Sequence, residues 1–129
     1  MERFEDFKTQ KAGYLTSVLT VLKSPLPDEA EPLWQALRDA EGYCGYLQFI
    51  LAKADAYLDT AERRELEKVI RENTEKMPAY EKEVQVRARC VDEREFRDYV
   101  RGLLEAIKQR INLGQSRLGY MRDVYAKGV

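Results

Sequence analysis

Residues 33–61, "LWQALRDAEGYCGYLQFILAKADAYLDTA", decide the fold class. From Leu33, apolar or small side chains return at Leu37, Ala40, Cys44, Leu47, Leu51, Ala54, Leu58 and Ala61, in steps of four and three. That spacing lines one face of a helix for four heptads, whereas a strand would need a step of two. Gly42 and Gly45 fall off the seam, where each costs a helix about 1 kcal/mol relative to alanine. Either a neighbour packs closely against them or the helix bends there.

Working outward, "SPLPDEAEP" at 24–32 precedes this helix and carries three prolines, which stop a helix, although Pro32 suits a first turn. Before it, Phe4, Phe7, Lys11, Tyr14, Val18 and Val21 recur at helical spacing and predict a short helix over 2–23. Downstream, the long helix is expected to span 33–77 with a break near 59. Asp59 and Glu62 have capping-box spacing there, and the apolar phase shifts to Leu66, Val69, Ile70 and Met77. In "VQVRARC", Val84, Val86, Ala88 and Cys90 alternate with polar residues at strand periodicity, so 78–91 reads as a hinge or extended stretch. A strand at 84–90 would need a partner in another chain; a linker or a continuing helix would not. Asp92 with Glu95 forms a second capping box, opening a helix over 92–126. Its seam reads Val100, Leu104, Ile107, Ile111, Gly114, Leu118, Met121 and Tyr125. The expected architecture is all-α, a single domain of long helices with heptad seams, resembling a helical hairpin or coiled coil.

Composition agrees with this reading. The chain has 129 residues, enough for one modest core, and is 44% hydrophobic and 35% charged without low-complexity tracts, which suits long solvated helices. Net charge is −1, so any attraction to nucleic acid must be local. It is unevenly spread: residues 26–58 hold six acids and two bases, residues 102–129 five bases and two acids. Opposite segments of neighbouring copies would attract. Histidine is absent, which removes Ser-His and Cys-His nucleophile pairs and the common zinc sites, so neither an enzyme nor a cofactor is expected. Cys44 and Cys90 read as two small, partly buried thiols rather than a disulfide framework. "MERFEDFKTQ" lacks the apolar core of a signal peptide and no apolar run approaches a membrane span, so a cytoplasmic location is expected, in a cell or an infected host.

Two chemistries are written in the charges. Glu62 with Glu65, and Glu95 with Asp98, each project from one helix face. Four convergent carboxylates could hold Mg²⁺, and "ERRE" and "EFRDYVRGLL" resemble the acidic boxes of all-α nucleotide pyrophosphatases of the MazG type. Ion pairs and caps account for the same residues. The other feature is "GLLEAIKQRINLGQSRLGYMR" at 102–122, with Lys108, Arg110, Arg117 and Arg122 against a single acid, Glu105. These cations flank the seam in two pairs, and an assembly of copies would gather them into a basic surface binding phosphates. Tyr120 or Tyr125 could stack an unpaired base. Gly114 lies on the seam, where close helix approach is favoured, so Leu104, Ile107, Ile111, Gly114, Leu118 and Met121 are expected to join copies of the chain.

"GLLEAIKQR" followed by "MRDVYAKG" is similar to the C-terminal helix of the UvsY-type phage recombination mediators, through Gly102, Leu104, Glu105, Ala106, Ile107, Lys108, Arg110, Met121 and Arg122. The resemblance covers about a fifth of the chain. It implies a ring-forming, non-enzymatic helical protein that binds single-stranded DNA and helps a recombinase displace the single-strand-binding protein. "LAKADAYLD" resembles a further basic-aromatic element of that family and adds Lys53 and Tyr57 to the expected DNA contacts, although Asp55 stands where a second base belongs. The alternative is a helical inhibitor or adaptor that docks another protein through the seam or the 84–90 edge, without nucleic acid.

Overall fold

The computed structural model describes residues 2–73 and 76–127, the side chain of Lys127 excepted. It holds four helices: α1 (Phe4–Lys23), α2 (Ala30–Glu72), α3 (Ala79–Arg89) and α4 (Val91–Lys127). Among the described residues there is no strand. The fold is all-α.

The decisive stretch lies inside α2, which runs without interruption for 43 residues. Leu33, Leu37, Ala40, Leu47, Ala54, Leu58 and Ala61 are buried as the seam requires, and Ile50 joins them. Cys44 and Leu51 are only half-buried. The two misplacements share one cause: a straight helix drifts from a strict seven-residue repeat, and the buried stripe is wider than a two-position seam because both α1 and α4 pack on it.

The expected break near 59 is absent. Asp59 is an interior helical residue that pairs with Arg63 at 3.1 Å, and Glu62 reaches across to Arg94 at 3.3 Å. A capping box needs an N-cap in extended conformation, and Leu58 and Ala61, buried on the same stripe as Ala54, keep the backbone helical. Of the shifted positions only Val69 is buried; Leu66 and Ile70 are exposed. The helix ends at Glu72 rather than 77, where Asn73 Nδ2 donates to the Val69 carbonyl at 2.7 Å and satisfies one orphan acceptor of the last turn. Residues 74 and 75 of the expected helix lie outside the described residues.

The extended reading of 78–91 is overturned, because residues 79–89 form α3. Val86 and Cys90, four apart, face the core, while Val84 and Ala88 are exposed, so the operative period is that of a helix. A lone strand would have left its backbone groups unpaired, and a helix satisfies them internally. Arg87–Glu83 at 2.8 Å supports the helix on its exposed side, and Arg89 clamps it to α2 through Glu72 at 2.7 Å and Glu65 at 3.7 Å.

One residue, Cys90, separates α3 from α4. Its carbonyl accepts from the Arg94 amide at 3.1 Å, so Cys90 starts the helix and Asp92 lies within the first turn rather than capping it. The corner is buried because Cys90 packs with Leu58, Ala61, Val69 and Val86.

α2 and α4 run antiparallel along most of their length, and α1 closes the third side. Phe7, fully buried, stacks on Tyr57 at 5.1 Å and meets Phe96 edge-on at 5.8 Å. Burial of a side chain this size contributes roughly 1.5–3 kcal/mol. A second, smaller cluster ties α3 to the far end of α2.

Candidate nucleic-acid interface

α4 presents two flanks beside its buried stripe, and the four predicted cations divide between them. Arg110 and Arg117 face the loop between α1 and α2. Arg110 Nη1 donates to the Ser24 carbonyl at 2.8 Å and Arg117 Nη1 to the Leu26 carbonyl at 3.4 Å, with Asp28 3.9 Å away. The prolines of "SPLPDE" have no N–H and cannot fold this loop onto itself with backbone bonds, so its carbonyls need outside donors. Two guanidinium groups supply them. These arginines pin the loop between α1 and α2 to α4.

Lys108 and Arg122 stand on the other flank and are exposed. Lys108 makes a loose pair with Glu105 at 3.8 Å, and both partners are largely in water. Arg122 edges a groove of about 660 Å³ formed by Ala30, Leu118, Gly119, Met121 and Tyr125. Tyr125, on the same groove, is 82% exposed and open to a stacking partner, whereas Tyr120, 70% exposed, lies two residues before Arg122 and so on nearly the opposite face of the helix. Arg101 was missed by the sequence reading and lies on the same flank, seven residues before Lys108 and exposed. Its spacing to Lys108, repeated twice to Arg122, was the available signal.

Lys53 and Tyr57 are elsewhere. They sit on α2 opposite the start of α4, roughly 36 Å from Arg122 at 1.5 Å of rise per residue. The Tyr57 hydroxyl donates to the Glu2 carbonyl at 2.6 Å and its ring packs on Phe4 and Phe7. Partial burial raises the phenol above its ordinary range, with Glu2 and Asp6 adding to the effect. This ring is a wall of the core, turned away from any base. Lys53 Nζ lies over the Phe7 and Phe49 rings at 5.8 and 5.0 Å.

The expected oligomer seam is corrected by burial. Leu104, Ile107 and Gly114 are covered by α2 of the same chain, and Ile111, Leu118 and Met121 are half-buried beside it. A β-carbon on Gly114 would overlap Leu37 Cδ2 and stand 3.1 Å from its Cγ. The close approach that this glycine permits is therefore made within one molecule. Of the acidic 26–58 and basic 102–129 segments, Asp28 and Arg117 approach each other at 3.9 Å, while Asp55–Arg97 at 3.4 Å and Glu62–Arg94 at 3.3 Å tie α2 to the start of α4.

The acidic pairs do not converge. Glu62 and Glu65 are held by Arg94 and by Arg89 with Lys68, Asp98 is held by Arg97 at 2.7 Å, and among the described residues no three metal-ligating side chains come together. Among the described residues, too, no helix is long and apolar enough to cross a membrane. Compared with known protein families, curated proteins and solved structures, the chain matches none.

Proposed function

We propose that this protein is a non-enzymatic, self-associating accessory factor of phage-type DNA recombination that binds single-stranded DNA through the outer flank of α4. The observation that carries the reading is the sorting of cations. Arg110 and Arg117 are committed to the fold, while Arg101, Lys108 and Arg122 remain in water on one flank, seven and then fourteen residues apart, with the open ring of Tyr125 at one end. Cations spaced about 10.5 and 21 Å apart along one flank of a helix can follow a phosphate backbone, and a tyrosine ring adds sequence-tolerant stacking. The absence of histidine and of a convergent carboxylate cluster among the described residues fits a binding role. The resemblance of the 102–122 segment to recombination mediators supplies the biological setting.

The test is fluorescence anisotropy of a labelled oligothymidylate at low and moderate salt. Lys108→Ala/Arg122→Ala should weaken binding at least tenfold and flatten its salt dependence. Arg110→Ala/Arg117→Ala should instead lower thermal stability. No binding by the wild type at low salt would dismiss the DNA role.

A second reading, an interaction module without nucleic acid, is favoured by one observation. The groove beside Leu118, Met121 and Tyr125 is mostly apolar and lies open at the end of the bundle. A helical peptide with an apolar face could dock there. If Met121→Arg abolished capture of a defined partner while the wild type left DNA untouched, this reading would replace the first.

A further inference from the structure

We infer that the outward face of α2 is a self-association surface on which a second copy of this chain packs antiparallel. The face lies opposite the buried stripe and carries Trp34, Gly42, Gly45, Phe49, Ala52 and Ala56, all exposed. Trp34 is 52% and Phe49 48% open, with the Arg38 guanidinium 4.8 Å over the Trp34 ring, and beyond Arg38 the residues at the centre of the face, Gly42, Gly45, Phe49, Ala52 and Ala56, are all uncharged. Exposed apolar surface of this kind marks an interaction site. Phe49 is also held in place: Tyr46 stacks on it at 5.9 Å and Lys53 Nζ lies 5.0 Å over its ring. A rigid, half-open aromatic ring loses little conformational freedom on binding, as interface anchors require.

The occupant follows from the pattern itself. From Gly42 to Ala56 these positions recur in steps of three and four, and a β-carbon on Gly42 or Gly45 would meet nothing within 4 Å, so no part of this molecule uses the close approach they offer. About a twofold axis between residues 45 and 49, Phe49 of each copy seats on the partner's Gly45, and Gly42 faces the partner's Ala52. Such reciprocity is what an isologous contact demands. The same register closes both ends with opposite charges, Glu31 against the partner's Arg63, and sets Asp39 beside the partner's Lys53. One like-charged approach, Glu41 toward the partner's Asp55, is relieved by Arg97, which already holds Asp55 at 3.4 Å. Between residues 31 and 63 the paired helices would run about 48 Å. The surface is distinct from the basic flank of α4 and stands whether or not that flank binds DNA.

Sedimentation equilibrium of the full chain over a range of concentrations tests the proposal, with circular dichroism confirming helicity of every variant. The wild type should reach twice the monomer mass of 15.1 kDa. Phe49→Ala and Gly45→Gln, neither of which touches a buried contact of α4, should each weaken association at least tenfold with helicity retained. Glu31→Arg and Arg63→Glu should each weaken it, and the double variant should restore it. A wild type that stays monomeric at all concentrations overturns the inference, as does an assembly of any order that survives Phe49→Ala and Gly45→Gln. Failure of the charge exchange to restore association overturns the antiparallel register.

Discussion

Gly114 and Gly102 lie on one helix and have opposite meanings. Gly102 faces solvent with nothing near its missing side chain, whereas Gly114 receives Leu37. Gly102→Ala should therefore raise stability by about 0.5–1 kcal/mol through helix propensity, while Gly114→Val should lower it by about 1–3 kcal/mol by overpacking, both read from urea unfolding. The heptad spacing located Gly114 on a seam; which surface would approach it was not readable, because the seams of α2 and α4 are apolar in the same way. The two thiols differ likewise. Cys90 is fully buried, and burial pushes its pKa up, with Glu93, Glu62 and Glu65 adding, whereas Cys44 is half-exposed. Titration with a thiol reagent at pH 8 should modify Cys44 quickly and Cys90 only on unfolding.

Among the elements, α3 is the shortest, at 11 residues. Its apolar anchors are Val86 and Cys90, and Arg89 fastens it to Glu72. The hydrogen bond from Arg89 holds the Glu72 carboxyl below its ordinary range. A depressed acid pKa contributes stability that is present above the unfolded-state value and lost as pH falls through the folded one. Docking of α3 should accordingly loosen below about pH 4, seen as chemical-shift changes over residues 79–89 ahead of those in α1, and Glu72→Gln should remove that dependence. The alternation of "VQVRARC" suggested extension because two of its four small or apolar residues, Val84 and Ala88, happen to fall on the exposed side. Seven residues are too few to separate a period of two from one of four. The continuity of α2 through residue 59 was hidden for a related reason, since Asp59 and Glu62 fit a cap and a helix interior equally well until their partners Arg63 and Arg94 are in place.

For the whole molecule, α4 outruns its cover. Gly114 meets Leu37, and Ala30, the first residue of α2, shares a groove with Met121 and Arg122, so the final turns of α4 project past the start of α2. Ending the chain at Leu118 should leave stability within about 1–2 kcal/mol, because little fully buried surface is removed. If the basic flank binds DNA, the same truncation should weaken oligonucleotide binding at least tenfold by deleting Arg122 and Tyr125. Thermal unfolding and anisotropy on one preparation separate the two effects.

The residue order alone determined the helical class, the extents of the first and last helices to within two residues, the presence of the proline-rich loop though not its end, since α2 starts at Ala30 rather than 33 and takes in Pro32, and most of the buried stripe of α2. These rest on short-range periodicity and on proline chemistry, which do not depend on distant contacts. Tertiary structure decided the rest. It paired the two long seams within one chain, turned Arg110 and Arg117 onto loop carbonyls, packed the half-buried Tyr57 ring against the core, and left Lys108, Arg122 and the outer face of α2 exposed. A charge or an aromatic ring has the same local signature whether its partner is a carbonyl, a neighbouring helix or solvent, and only the packing of distant segments distinguishes them.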